Sequence, residues 1–214
     1  MIQKYHNITP EKAEIIGLLC AEGSHYNYIT VYNEFFKNRG KYYTLIRNVE
    51  AVEFTNLDEK LLHHFRNLML KVYNYAPRPT GIKTSMKIRI KKKSVIEDLV
   101  KYTEFGSKKW RIPEDIFNSS IDIKSSFIRG LFDGDGSITK YKIRLVSVNK
   151  EGICGVKDLL NSIGIECRTG GPLKVSGNRK PTYELIIPRR FILMYKNIIS
   201  SNHYKKLNKL QSLR

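Results

Sequence analysis

Cysteine is scarce: Cys20, Cys154 and Cys167 are the only three in 214 residues. Their number is odd and none has CxxC spacing, so neither a disulfide framework nor a structural zinc site is indicated. A reducing, intracellular setting, the cytoplasm of a prokaryote or an organelle, fits such a chain, and secretion does not. No apolar run approaches the ~20 residues that span a bilayer. The opening residues Met1-Ile-Gln-Lys-Tyr-His6 lack the apolar core and cleavage pattern of a secretion signal. The five histidines (His6, His25, His63, His64, His203) show no metal-ligand spacing, and His63-His64 falls on a helix and reads as surface. Acid is also scarce: Asp and Glu number 20 against 38 Lys and Arg, a net charge of +18. An excess of that size points to a polyanionic partner. A basic membrane-surface protein would instead show a Lys/Arg-rich helix with a strong apolar face, and none stands out.

What is present is a repeat. Ile15-Ile-Gly-Leu-Leu-Cys-Ala-Glu-Gly23 resembles Ile128-Arg-Gly-Leu-Phe-Asp-Gly-Asp-Gly136, with Glu22 and Asp135 113 positions apart, about half the chain. The flanks repeat too. Thr9-Pro10-Glu11 offers an N-cap, a proline at the first helical position and an early acid, and Asp122 can cap the second motif helix. Strand-like stretches follow, 29–36 and 42–54 in the first half and 138–148 in the second. Next come amphipathic helices: Leu57, Leu61, Phe65, Leu68 and Val72 after Asn56, and Val156, Leu159, Leu160 and Ile163 after Asn149, ended by Gly164. Further strands over 86–90 and 183–187, then short helices over 95–102 and 191–199, close each half. Each half reads as αββαββα, an α+β unit. The joint lies in Lys108-Lys109-Trp110-Arg111-Ile-Pro113, dividing the chain into 1–109 and 110–214.

Each motif reads as the last turns of a helix. Gly17 and Ala21 lie four apart, as do Gly130 and Gly134, giving smooth faces on which two helices can pack closely. Glu22 and Asp135 then fall at the C-terminal ends, where the helix carries partial negative charge and an acid is unfavourable. Two such helices side by side add like-charge repulsion. A divalent cation is the natural offset: the two carboxylates with the backbone carbonyls of Ala21 and Gly134 form an oxygen-only set that suits Mg²⁺. A single motif would read better as an ordinary glycine C-cap with solvated acids, and Asp-Gly-Asp-Gly alone could be a turn or a fragment of a calcium loop. Local rules broken twice at equivalent places point to function. Cys20 reads as a small packing residue rather than a nucleophile.

The strands carry the charge in order. Over 83–91, Met86, Ile88 and Ile90 point one way and Lys87, Arg89 and Lys91 the other. In the second half Lys140, Lys142 and Arg144 alternate with Tyr141, Ile143 and Leu145. One face would pack on helices and the other present cations to a major groove, although a solvated antiparallel face has the same pattern.

The two motifs resemble those of the LAGLIDADG homing endonucleases in their two-motif, single-chain form. The second is the closer match; the first has Cys20 where the family commonly has an acid and Glu22 as its final acid. The resemblance implies saddle-shaped antiparallel sheets over double-stranded DNA, packed through the motif helices in a monomer with internal pseudo-two-fold symmetry. It also implies a metal-dependent double-strand cut at a long recognition site. Glu22 and Asp135 would bind two or three Mg²⁺ ions beside the scissile phosphates, with water attacking. Arg89 falls by register at a basic position near the family's active site, where the second half has an apolar residue near Ile186. Asn56 and Ser147 hold equivalent polar positions suited to active-site water. No protein-splicing framework is evident, so the resemblance favours an intron-encoded enzyme. The same scaffold also serves RNA maturases, which bind intron RNA, and a non-cutting DNA-binding regulator would share the charge pattern. A basic RNA-binding domain would leave the repeat unexplained.

Overall fold

A computed structural model describes residues 7–82, 85–173 and 180–213. Helix α1 (Pro10–Glu22) starts at Thr9, whose hydroxyl accepts from Lys12 N at 3.2 Å. Pro10 and Glu11 fill the first turn as the sequence predicts. All residues from Lys12 to Cys20 are buried, so α1 has no solvent face and runs through the centre of the molecule. Its two inner charges are therefore paired: Lys12 meets Asp98 at 2.8 Å and Glu14 meets Arg129 at 3.2 Å.

The first half continues with β1 (Gly23–Phe36), β2 (Lys41–Thr55), α2 (Glu59–Tyr73), β3 (Pro79–Ile82), β4 (Ser85–Ile90) and α3 (Lys93–Val100). After a short α4 (Glu114–Phe117), the second half runs α5 (Ile121–Asp135), β5 (Ser137–Ile138), β6 (Lys142–Ser147), α6 (Lys150–Asn161), β7 (Arg168–Leu173) and β8 (Thr182–Pro188). A 3-10 turn, Arg189–Phe191, leads into α7 (Ile192–Ile198) and α8 (Tyr204–Gln211). The strands form two antiparallel sheets of equivalent order, β1-β2-β4-β3 and β5-β6-β8-β7. This is the two-fold repeated α+β architecture read from the sequence. Trp110, 2% exposed, docks against Gly152 of α6, and its carbonyl accepts from Asn149 Nδ2 at 2.6 Å. The connector is thus already packed on the second half.

The motif helices form the seam between halves. A Cβ on Gly17 would sit 2.1 Å from the Phe127 carbonyl oxygen, and one on Gly130 would sit 2.3 Å from that of Glu14. Each glycine is where the other helix's backbone passes, so α1 and α5 touch main chain to main chain.

Several elements differ from the sequence reading. Asp122 is not the α5 cap; Ser120 holds that position and Asp122 lies in the first turn. Leu57 precedes α2 and is 65% exposed; the cap is Asp58, whose carboxylate accepts from Leu61 N at 3.1 Å. The stretch 138–148 is a tight hairpin, with Lys140 and Tyr141 in its turn, because Thr139 Oγ1 accepts from both Tyr141 N and Lys142 N. Lys91 lies just past the end of β4, and Lys83 and Thr84 lie outside the described residues. His64 is not a free surface residue: its Nε2 is 2.6 Å from the buried Glu14 carboxylate.

Candidate active site

Glu22 and Asp135 are the last residues of α1 and α5. The two ends abut: a Cβ on Gly134 would lie 2.4 Å from Ala21 Cβ and 3.3 Å from Glu22 Cγ. Crowding lifts the Glu22 carboxyl above its ordinary value, with Lys206 pulling the other way. The Asp135 carboxyl is pushed up to about 7, first by desolvation and then by the charge of Glu22. The Asp135 residue as a whole is nevertheless exposed. Its carboxyl is therefore crowded by the helix ends while water still reaches the side chain and screens part of the effect.

Asn56 and Ser147, equivalent in sequence position, diverge here. Asn56 Nδ2 donates to Glu22 Oε1 at 3.5 Å. Its own orientation is fixed by Asp58 N donating to Oδ1 at 2.8 Å and by its backbone N–H donating to Met86 O at 3.1 Å. Ser147 Oγ instead accepts from Asn149 N at 3.2 Å, so it serves the start of α6.

Sequence reasoning missed the C-terminal segment. Lys206, on α8, donates through Nζ to the carbonyl oxygens of Phe132, Asp133 and Gly134 at 2.7, 2.8 and 3.2 Å. Burial lowers the Lys206 ammonium pKa, and Asp133, Asp135 and Glu22 raise it in part. Asp133, which the repeat aligns with Cys20, is 2% exposed. It accepts from Ser201 Oγ at 2.5 Å, Asn202 N at 2.7 Å and His203 N at 3.2 Å. Desolvation nevertheless pushes its carboxyl up to about 6. The same segment reaches the first half: Asn202 Nδ2 donates to Glu14 Oε1 at 2.7 Å, and Lys60 Nζ lies 3.7 Å from the Tyr204 ring centroid. Cys20 is buried, which pushes its thiol up and leaves it unreactive.

The strands that follow the two motifs carry basic residues in related registers. Ser24 faces Glu53 across β1 and β2, and Ser137 faces Arg144 across β5 and β6, so Glu53 and Arg144 occupy equivalent registers next to the two motifs. Arg89 faces Glu53 and Ile186 faces Arg144. Arg89 Nε meets Glu53 Oε1 at 2.5 Å, with Lys87 Nζ 3.4 Å from the other oxygen and Tyr26 Oη donating at 3.0 Å. Desolvation raises the Glu53 carboxyl, but these donors outweigh it and hold the pKa below the ordinary value. In the second half Arg144 Nε meets Glu184 Oε2 at 2.6 Å. Lys87, Arg89, Lys142 and Arg144 lie half-buried on the strands, whereas Lys91 and Lys140 are exposed at strand and turn ends.

Among the described residues no cluster of three or more His, Cys, Asp or Glu side chains is assembled. The donor set at the helix ends is two carboxylates with the local backbone carbonyls, all hard oxygens, which fits a divalent cation such as Mg²⁺ or Ca²⁺. The Gly134 carbonyl is already shared with Lys206. No helix of the described residues is long and apolar enough to cross a membrane.

Residues 122–209 match the LAGLIDADG-like domain. The chain is similar to DNA-directed RNA polymerase subunit Rpo1C of Methanocaldococcus jannaschii, 29% identical over 167 residues that make up 76% of this chain and 18% of that protein. It spans less than a fifth of the length of the curated relatives it matches. Among solved structures it is similar to I-DmoI in complex with DNA and Mn, with TM-score 0.64, 20% identity, and 90% and 97% of the two chains covered. I-DmoI structures with Ca and in the presence of Mg also match. It is similar too to the N-terminal LAGLIDADG domain of DUF199/WhiA, with TM-score 0.57, 18% identity, and 91% and 84% covered.

Proposed function

We infer, from the match of residues 122–209 to the LAGLIDADG-like domain and the likeness of the fold to I-DmoI, that the chain cuts double-stranded DNA at a long, specific site. The observation that carries the reading is the pair of acids, Glu22 and Asp135, at the abutting ends of two helices between sheets that carry Lys87, Arg89, Lys142 and Arg144. The likeness to I-DmoI, which has been solved with DNA and Mn, supports it. Each half of the chain, 1–109 and 110–214, would cover one half of the site. The protein would act as an intracellular monomer whose internal pseudo-two-fold axis passes between the acids, in the service of intron homing.

The two carboxylates and the Ala21 and Gly134 carbonyls would hold Mg²⁺, as two or three ions, which would supply the polarisation of water and the charge stabilisation that phosphodiester hydrolysis needs. The chain's own residues do the rest. Lys87, Arg89, Lys142 and Arg144 neutralise phosphates or read guanine edges, and Lys91 and Lys140 extend the basic surface at its rims. In the hydrolysis, a water oxygen bonds to phosphorus, the P–O bond to one deoxyribose oxygen breaks, and that oxygen leaves as a hydroxyl with the proton the water gives up. Asn56, by holding Glu22 through its amide, keeps that carboxylate from rotating away. No side-chain nucleophile is used.

The test is incubation with a plasmid carrying the uninterrupted form of the site into which its own coding element is inserted, with and without Mg²⁺. Defined double-strand cuts that require Mg²⁺ and vanish in Glu22→Gln and Asp135→Asn are the expected result. Salt-sensitive binding without cutting would overturn the endonuclease reading in favour of a non-cutting DNA-binding protein or an RNA maturase, and intron RNA would then be the ligand to assay.

A further inference from the structure

Two acids meet at the seam, and each sits at the negative end of a helix. A protein that folds before it meets a metal must offset this arrangement with its own atoms. In the second half that offset is visible. The Lys206 ammonium has three protons, and three carbonyl oxygens of the last turn of α5 lie within hydrogen-bond distance, those of Phe132, Asp133 and Gly134. Those of Asp133 and Gly134 are carbonyls that a helix C-terminus leaves without intrahelical partners, while that of Phe132 also accepts from the cap N–H of Gly136 at 2.8 Å. The lysine is not a chance surface contact. Leu210 of its own helix is fully buried, and the preceding loop is tied to Asp133 by Ser201, Asn202 and His203. At the end of α1 an uncharged amide, that of Asn56, reaches Glu22 instead.

We propose that Lys206 is the built-in counter-cation of the paired-acid site. Fixed on the end of α5 by the C-terminal segment, its charge allows Glu22 and Asp135 to stand together in the metal-free protein and opposes the entry of a divalent ion. This rests on the reading of the two acids as the cation site. It makes Lys206 a positioning residue, acting through the helix end and the acids rather than touching the reacting phosphate. It also accounts for a lysine sharing the Gly134 carbonyl with the cation assigned to that oxygen: the ammonium and the divalent ion serve the same negative centre.

The experiment is a double-mutant cycle on the full chain in chelator, read by denaturant unfolding. Lys206→Met is introduced into the wild type and into the Glu22→Gln/Asp135→Asn variant, with Lys206→Gln, which keeps amide donors for the carbonyls, as a milder parallel. The expected result is that Lys206→Met lowers the folding constant about tenfold more in the wild type than where the acids are neutral, a coupling of about 1.4 kcal/mol. Additive effects would mean that the lysine only caps α5 and would overturn the proposal. Ca²⁺ titration by calorimetry, without DNA, gives the second readout: Lys206→Met and Lys206→Gln should bind Ca²⁺ more tightly than wild type, by roughly tenfold. Equal or weaker binding would overturn the counter-cation role. If wild type and Glu22→Gln/Asp135→Asn bind Ca²⁺ equally, the cation reading of the acids fails, while the unfolding cycle still decides the role of Lys206.

Discussion

Alanine at Gly130 tests the seam directly. Alanine is the better helix former by about 1 kcal/mol, so at an ordinary helical position the substitution would raise stability. Here the new methyl would lie 2.3 Å from the Glu14 carbonyl oxygen and 2.9 Å from Leu18 N. Carbon and oxygen do not approach closer than about 3.2 Å, so α1 and α5 would have to separate by about 1 Å along their contact, and the neighbouring groups are main chain that no rotamer change can move. Overpacking of this kind costs about 1–3 kcal/mol or more. For a chain of this size each kcal/mol lowers Tm by roughly 2–4 °C, so Gly130→Ala should melt about 6–12 °C below wild type for a cost near the top of that range. Gly134→Ala is the informative companion, because its methyl would meet the Ala21 side chain, at 2.4 Å. Adding Ala21→Gly should relieve it, leaving the double variant more stable than Gly134→Ala alone, whereas no such partner exists for Gly130→Ala. Melting is followed by calorimetry in chelator. A Gly130→Ala protein that melts at or above the wild-type temperature would refute main-chain contact between the motif helices.

Neutralising either acid separates chemistry from stability: Glu22→Gln and Asp135→Asn should abolish plasmid cutting and yet melt higher than wild type without metal, because a repulsion and a desolvated charge are removed. Asp135 sets a pH dependence in the same direction. Its folded pKa, about 7, lies above the ordinary carboxyl value of 3.8, so the folded state holds the extra proton and metal-free stability falls as pH rises from about 4 to about 7 and then levels. A cation needs the carboxylate, so Mg²⁺-dependent cutting should drop about tenfold per unit as pH falls below that pKa, and a flat rate between pH 5 and 8 would count against Asp135 as a ligand. Glu14→Ala removes a carboxylate, 3% exposed, that serves Arg129, His64 and Asn202 together, and should cost about 3 kcal/mol by urea unfolding.

The motif helices were legible in the sequence because their requirements are local and repeated. Small residues at 17, 21, 130 and 134 and acids at the same phase survive any error in the flanking elements. The sheets were legible where alternation is strict, as at Ile88 and Ile90 against Lys87 and Arg89. That signal misled at Lys140 and Tyr141, because alternation continues through the turn that Thr139 makes and nothing in a period of two marks a chain reversal. Helix α8 was not read. Leu207 and Leu210 stand at helical spacing among Lys205, Lys206 and Lys209, but Leu210 is its one buried residue and the helix has only eight residues, too short a run for the spacing to stand out. Its place is set by docking onto α5 and the loop around Asp133. The residue with the most to say about the acids therefore lay on a helix whose apolar spacing, Leu207 to Leu210, covers barely one turn.

The duplication is one of geometry, and chemistry has been distributed unevenly over it. Equivalent positions hold Cys20 and Asp133. The second tolerates an acid because Ser201, Asn202 and His203 bring three donors to it, whereas Cys20 is buried within an apolar core. Equivalent registers hold Glu53 and Arg144, each neutralised by the opposite charge on the adjoining strand. The β1–β2 hairpin has strands of 14 and 15 residues against 2 and 6 for β5–β6. Two identical acids in identical settings would compete equally for a proton and for a metal. Here Glu22 is reached by a neutral amide, and Asp135 ends a helix clamped by an ammonium. Unequal surroundings separate the two ionisations, and a pair that would otherwise be an unstable symmetric contact becomes two sites with different appetites for a cation.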